Sequence, residues 1–136
     1  MAREPKRCVV TGACGFIGSH MVEVLAAEGE QVVATDQPSA FEPRGKVAQM
    51  NVDLVRRLAS QVVPADLTVP GTLDEAVRGA DYVFHIASVF NYSAPWQTLY
   101  RVNVQGTANL IDSIERTNSR VKRLVVWGAG GVYGLP

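Results

Sequence analysis

Three glycines, Gly12, Gly15 and Gly18, recur at every third position of CVVTGACGFIGSH, between a short apolar run and a helical pattern. Cys8 to Thr11, bounded by Lys6-Arg7 and Gly12, has the make-up of a strand buried on both faces. Phe16, Ile17, Met21, Val24 and Leu25 follow at helical spacing until Gly29 ends the pattern. Gln31 to Asp36, QVVATD, is a second strand. Strand, glycine turn, helix and strand make a βαβ unit, whose right-handed crossover demands a parallel sheet.

The remainder alternates in the same way. Pro38 to Gly45 is a loop, and Val47 to Ala59 carries Val47, Met50, Leu54 and Leu58 on one helical face. Gln61 to Asp66 is a third strand, whose Pro64 suits a position near a sheet edge. Thr72 to Gly79 is a short helix, Asp81 opens a fourth strand, and Gln97 to Arg116 is the longest helix, with Leu99, Val102, Gly106, Leu110 and Ile114 in helical register. Arg123 to Trp127 is a fifth strand. The alternation predicts a doubly wound α/β fold with strand order 3-2-1-4-5. At 136 residues, 47% of them hydrophobic, one such domain over residues 1–136 is expected. Lysine plus arginine balances aspartate plus glutamate at 13 each, so no net field favours nucleic acid or an anionic membrane. Cys8 and Cys14 have neither metal-ligand nor redox spacing and are read as free thiols in a reducing, cytoplasmic setting.

The glycines have distinct uses in this context. Gly12 permits a tight turn, Gly15 removes a side chain that would hold a pyrophosphate off the backbone, and Gly18 lets the helix pack close to the strand. The helix N-terminus then offers free N–H groups and a positive dipole end to phosphates. Asp36 ends the second strand where a carboxylate can accept both hydroxyls of an adenosine ribose; the plainer reading is a solvated aspartate opening the turn at Pro38. That carboxylate would repel a 2′-phosphate, and neither Gln37 nor Pro38 supplies a cation, so NAD is expected over NADP.

These residues resemble the extended short-chain dehydrogenases/reductases, a family that includes NAD-dependent epimerases and dehydratases, 3β-hydroxysteroid dehydrogenases and dihydroflavonol reductases. TGACGFIGSH is similar to the family's T-G-x-x-G-F-I-G loop, Ala65 to Thr68 to its D-L-T segment, Phe84 to Ser88 to its H-x-A-[AS] segment, and VNVQGTANLI from Val102 to its N-V-x-G-T-x-N-[LV] helix. The resemblance implies a Rossmann fold. It further implies that Gly12, Gly15, Phe16, Ile17 and Gly18 surround the pyrophosphate and that Asp36 takes the ribose. By the same resemblance Asp66 and Leu67 hold the adenine, Ala87 and Ser88 flank the path to the nicotinamide, and Asn103 braces that loop. His85 stands at the carboxyl edge of the sheet, either chemical or hydrogen-bonded within the loop. Asn103 and Asn109 are otherwise polar helix positions, and Phe90, Tyr92 and Trp96 make an aromatic loop that serves substrate contact or ordinary packing.

The chemistry departs from the pattern. In the family a tyrosine does acid/base work beside a lysine four residues later, assisted by a serine or threonine hydroxyl. No Tyr-x-x-x-Lys occurs here, and the hydroxyl position, four residues before the tyrosine of VYG at Val132 to Gly134, is Ala129. No catalytic residue and no metal ligand is assigned. A sheet ending at Arg123 to Trp127 exposes an apolar edge, so self-association, a partner chain or the remainder of a longer protein is expected to cover it, the last being preferred. Two functions follow: the cofactor-binding half of an NAD-dependent oxidoreductase or sugar-nucleotide epimerase/dehydratase, or a non-catalytic NAD-binding module that stabilises or regulates a partner. The substrate is not readable.

Overall fold

The computed structural model describes residues 3–118 and 120–134. Five parallel strands form one sheet: β1 (Arg7–Thr11), β2 (Gln31–Asp36), β3 (Gln61–Pro64), β4 (Tyr82–His85) and β5 (Arg123–Val126), in the order β3-β2-β1-β4-β5. β1 lies at the centre, with Val9 opposite Val33 on one side and Val83 on the other. Its last four residues are buried, as a central strand covered on both faces requires. Pro64 closes β3 on one edge, where a missing N–H costs no ladder bond. β5 is the other edge, with Val126 and Trp127 exposed. Among the described residues no helix is long and apolar enough to cross a membrane.

The period-2 alternation of the strands sorts the core into two layers. Val10, Val32 and Ala34 meet Val22 of α1 (Phe16–Ala27) and Val52 and Val55 of α2 (Lys46–Leu58). Val9, Val33, Val63 and Val83 face the opposite way and meet Leu73, Ala76 and Val77 at α3 (Asp74–Val77) and Leu110 of the long helix. Both helical stripes are turned only in part from where the spacing put them, since Met21 and Leu25 of α1 and Leu54 and Leu58 of α2 do pack against the core. In α1 the residues turned fully inward are Gly18, Ser19 and Val22, while Phe16, Ile17 and Val24 are exposed. In α2 Val52 and Val55 are buried, and Val47 and Met50 stand in solvent. For α1 the cause is steric: a Cβ on Gly18 would stand 1.9 Å from the Gly12 carbonyl oxygen, so the helix backbone itself presses on the turn and brings its smallest side inward.

The long helix is not uniform. It runs as α4 (Trp96–Leu99), a π-helical stretch Tyr100–Gln105, and α5 (Gly106–Thr117). The Thr107 hydroxyl donates to the Asn103 carbonyl at 2.7 Å, taking an oxygen that the ordinary i→i−4 amide would have used. Gly106 lies on the inner side, where a Cβ would come within 3.0 Å of Leu67 Cβ.

A buried polar chain ties this helix to the sheet. Thr11 Oγ1 accepts the N–H groups of Ile86 and Ala87, each at 3.1 Å, and lies 2.8 Å from His85 Nδ1. His85 Nε2 lies 2.8 Å from Thr107 Oγ1. One proton arrangement satisfies every group: Thr11 donates to an unprotonated Nδ1, Nε2–H donates to Thr107, and Thr107 donates to Asn103. His85 is therefore neutral, and its burial pushes the imidazole below its ordinary value. Of its two sequence readings the hydrogen-bonded one is the nearer, but its partners lie on β1 and α5 rather than within the loop.

Two outcomes are expected. Gly18→Ala should cost about 3 kcal/mol or more of unfolding free energy in urea titrations, because neither the turn nor the helix can withdraw. Unfolded His85 titrates near 6.5 and folded His85 lower, so the unfolded chain binds the extra proton. Stability should hold above pH 6.5 and fall as pH drops below it, measured as the urea midpoint across pH 5.5 to 7.5; a His85→Asn variant should lose that slope.

Candidate nucleotide site

The carboxyl ends of β1, β2 and β4 open into a cavity of about 440 Å³. Its middle is the glycine turn. Gly12 takes φ +67°, a left-handed conformation suited to glycine, and a Cβ there would approach Ala87 Cα to 2.8 Å. Gly15 differs, because its φ of −76° suits any residue. An added Cβ would meet only the Gly12 carbonyl, at 3.3 Å. Gly15 also lines the cavity, so the absent side chain leaves room for an occupant rather than for the protein's own packing.

Behind it stands the start of α1. Gly15 is the N-cap, with no side-chain cap and no acidic residue in the first turn. The first helical bond is Ser19 N–H to the Gly15 carbonyl, at 3.0 Å, so the N–H groups of Phe16, Ile17 and Gly18 have no acceptor within the helix. Together with the positive end of the helix dipole they make a seat for an anion. Among the described residues the cavity wall carries no lysine or arginine, so an anion seated there would be held by backbone N–H groups. Asn51 of α2 fixes the turn from outside, donating to the Cys14 carbonyl at 3.2 Å.

At one end of the cavity is Asp36. Its carboxylate accepts the Cys14 N–H at 3.0 Å and the Gln37 N–H at 2.8 Å. Burial raises its pKa, and these two N–H donors oppose the rise. Beyond it lies the segment after β3. Asp66 Oδ1 takes both the N–H and the hydroxyl of Thr68, at 2.8 and 2.7 Å. The Leu67 carbonyl accepts from Asn109 of α5 at 2.7 Å. Thr35 brings a buried hydroxyl without a protein partner to this part of the wall. Burial, with a smaller contribution from Asp36, pushes the Cys14 thiol up to about 12, so it stays protonated.

The other end is the segment after β4, where Ala87, Ser88, Val89 and Phe90 face the cavity with Val102 of the π stretch. Asn103 grips this segment through a single residue. Its Oδ1 accepts the Val89 N–H at 2.8 Å, and its Nδ2 donates to the Val89 carbonyl at 3.0 Å. Of the residues singled out in the sequence, Gly12, Gly15, Phe16, Ile17, Gly18, Asp36, Asp66, Leu67, Ala87 and Ser88 share the cavity wall, whereas Asn103 stands behind it. Sequence reasoning passed over Thr68, Leu73 and Val102 as lining residues and Asn51 as a support. Thr68 could have been found inside the quoted D-L-T segment; the others carry no local signal. Phe90, Tyr92, Trp96 and Tyr100 form a mostly exposed aromatic row near this end, with Phe90 set edge-on to Tyr92 at 5.3 Å.

The sequence model of the NAD dependent epimerase/dehydratase family matches residues 8–136. The bovine sterol-4-alpha-carboxylate 3-dehydrogenase, decarboxylating, is 34% identical over 93% of this chain and 31% of its own length. Dihydroflavonol 4-reductase of Solanum lycopersicum is 34% identical over 93% of this chain and 33% of its own. A solved short-chain dehydrogenase/reductase superfamily protein from Agrobacterium tumefaciens, with bound NAD, superposes with a TM-score of 0.71 at 26% identity, over 94% of this chain and 34% of that one. The chain thus spans about a third of the length of these relatives. The strand order, the glycine turn seated against α1 and the match across residues 8–136 place this chain in the NAD dependent epimerase/dehydratase family.

Proposed function

We propose that residues 1–136 are the NAD-binding domain of an oxidoreductase or sugar-nucleotide epimerase/dehydratase, whose whole protein carries its substrate region and its tyrosine and lysine in further chain. The observation that carries this reading is the alignment, in one cavity, of Gly15's open space, the uncapped α1 N-terminus and the Asp36 carboxylate. A pyrophosphate fits over Gly12, Gly15 and the N–H groups of Phe16, Ile17 and Gly18, where no side chain intervenes. Asp36 takes the adenosine ribose hydroxyls, and the lack of a cation in the wall supports NAD over NADP. Asp66, with only Oδ1 engaged by Thr68, and Leu67, whose carbonyl is held by Asn109, meet the adenine. Ala87 and Ser88 flank the nicotinamide, and Asn103 braces them. Bound NAD would supply a hydride acceptor, or a donor once reduced. This chain's own residues bind it and orient it.

A second reading is a non-catalytic NAD-binding module that stabilises or regulates a partner. The alanine at position 129, just beyond the end of β5, favours it, since no hydroxyl is available there to bond a reacting oxygen. The exposed Val126 and Trp127 support cover of the β5 edge by further chain, a partner or a second copy. The two buried free thiols support a reducing, cytoplasmic setting. Hydride transfer by the whole protein separates the two readings, because both predict NAD binding.

Calorimetric titration tests the shared part. Asp36→Ala should weaken NAD binding about tenfold, roughly 1.4 kcal/mol, and narrow the preference over NADP. Unchanged affinity for both cofactors would remove Asp36 from the ribose. Gly15→Val should abolish NAD binding while the urea midpoint stays close to that of the parent chain, and normal binding by this variant would refute the pyrophosphate seat.

A further inference from the structure

We infer that His85 is a positioning residue for the end of the cavity opposite Asp36, holding residues 86–89 between Thr11 of β1 and Thr107 of α5. The inference rests on the dinucleotide reading: with the anion seat at the glycine turn and one ribose at Asp36, the second nucleoside lies along Ala87, Ser88 and Val89. His85 itself is buried and absent from the cavity wall, and both ring nitrogens are engaged, so it is no acid or base for a bound ligand. It acts through what it fixes.

On one side, Thr11 Oγ1 accepts the Ile86 and Ala87 N–H groups with its two lone pairs, which leaves its own proton to His85 Nδ1 and no lone pair for a protonated Nδ1. On the other, Nε2–H donates to Thr107, whose hydroxyl proton then points to the Asn103 carbonyl, and the Asn103 amide grips Val89 from both sides. The same imidazole thus reaches the first and last residues of one cavity-lining segment. The segment has little slack, because Ala87 already lies where a Cβ on Gly12 would clash at 2.8 Å. A proton on Nδ1, or the loss of Nε2–H, leaves a buried donor or acceptor unpaired and releases one end of the segment. The adenosine end, built on β2 and the segment after β3, shares none of these bonds.

That separation gives the test. NAD and ADP, which occupies only the adenosine and pyrophosphate positions, are titrated calorimetrically at pH 7.5 into the parent chain, His85→Asn, Thr107→Val and Thr107→Ser. The expected result is NAD binding five- to tenfold weaker in His85→Asn and Thr107→Val, ADP binding within twofold of the parent in both, and NAD binding restored in Thr107→Ser. Nitrogen-15 histidine spectra of the parent chain should show His85 with Nε2 protonated and Nδ1 bare. Equal weakening of NAD and ADP, unchanged NAD binding, or a protonated Nδ1 would overturn the inference. If His85→Asn does not fold, the Thr107 pair and the spectrum decide. A parent chain that binds neither ligand refutes the dinucleotide reading and the inference with it, whereas a parent that binds both while the variants match it removes only His85.

Discussion

The structure depends on one backbone contact: the carbonyl of Gly12 against the Cα of Gly18, with 1.9 Å left for any Cβ that might come between them. It brings α1 onto the end of β1 at backbone range, which points the first turn of the helix into the opening between strands. The left-handed Gly12 reverses the chain so that the contact can form, and Asn51 and the Asp36 carboxylate hold the outer side of the turn through Cys14. Move the helix outward by the width of a methyl group and its free N–H groups no longer share a cavity with Asp36. The valines of β1 and β2 supply the hydrophobic energy of the fold, yet many arrangements of valine would do so. This contact sets how close the start of the helix comes to the turn.

Much of this was legible in the residues, and what was not has physical causes. The ends of β2 followed from apolar run length and turn chemistry, which are local properties, and the strand order from the alternation of strand and helix along the whole chain. Pro64 marked an edge strand because a missing N–H is a local fact. The inward faces of α1 and α2 were right at Met21, Leu25, Leu54 and Leu58 and wrong at their fully buried centres, because spacing gives a stripe's period but not its phase. Phase is set by the partner surface, and a glycine contact outranks Phe16, Ile17 and Val24, which stay outside. The π stretch left no trace in the pattern of Leu99, Val102, Gly106, Leu110 and Ile114, since one hydroxyl, that of Thr107, supports it. Asn51, which supports the glycine turn, is a single polar residue on a helix, indistinguishable in sequence from a surface position, whereas Asn109 stood inside the quoted helix motif without its partner, the Leu67 carbonyl, being readable.

The candidate site is divided by the kind of group that does the work. Its centre is backbone and missing side chains, its β2 end is carboxylates, and its β4 end is a segment held from behind by hydroxyls, an imidazole and an amide. The three parts thus offer a ligand different chemistry: free backbone N–H groups at the centre, carboxylate oxygens at the β2 end and a shaped apolar wall at the β4 end. Over the aligned stretch this chain and these relatives share about a third of their residues, which is compatible with a site whose central element depends on the absence of side chains more than on their identity.

The π stretch has a consequence for how this helix can vary. Each residue of an α-helix advances the face by about 100°, so a wider winding sets α4 and α5 out of step with one another. That offset lets Asn103 face the segment after β4 while Gly106, Leu110 and Ser113 face the sheet. Deleting one residue between Tyr100 and Gln105 would return the helix to even winding and swing either the asparagine or the packed face out of place. Replacing a residue there other than Asn103 keeps that count. Along this stretch the fold tolerates changes of spelling far better than changes of count.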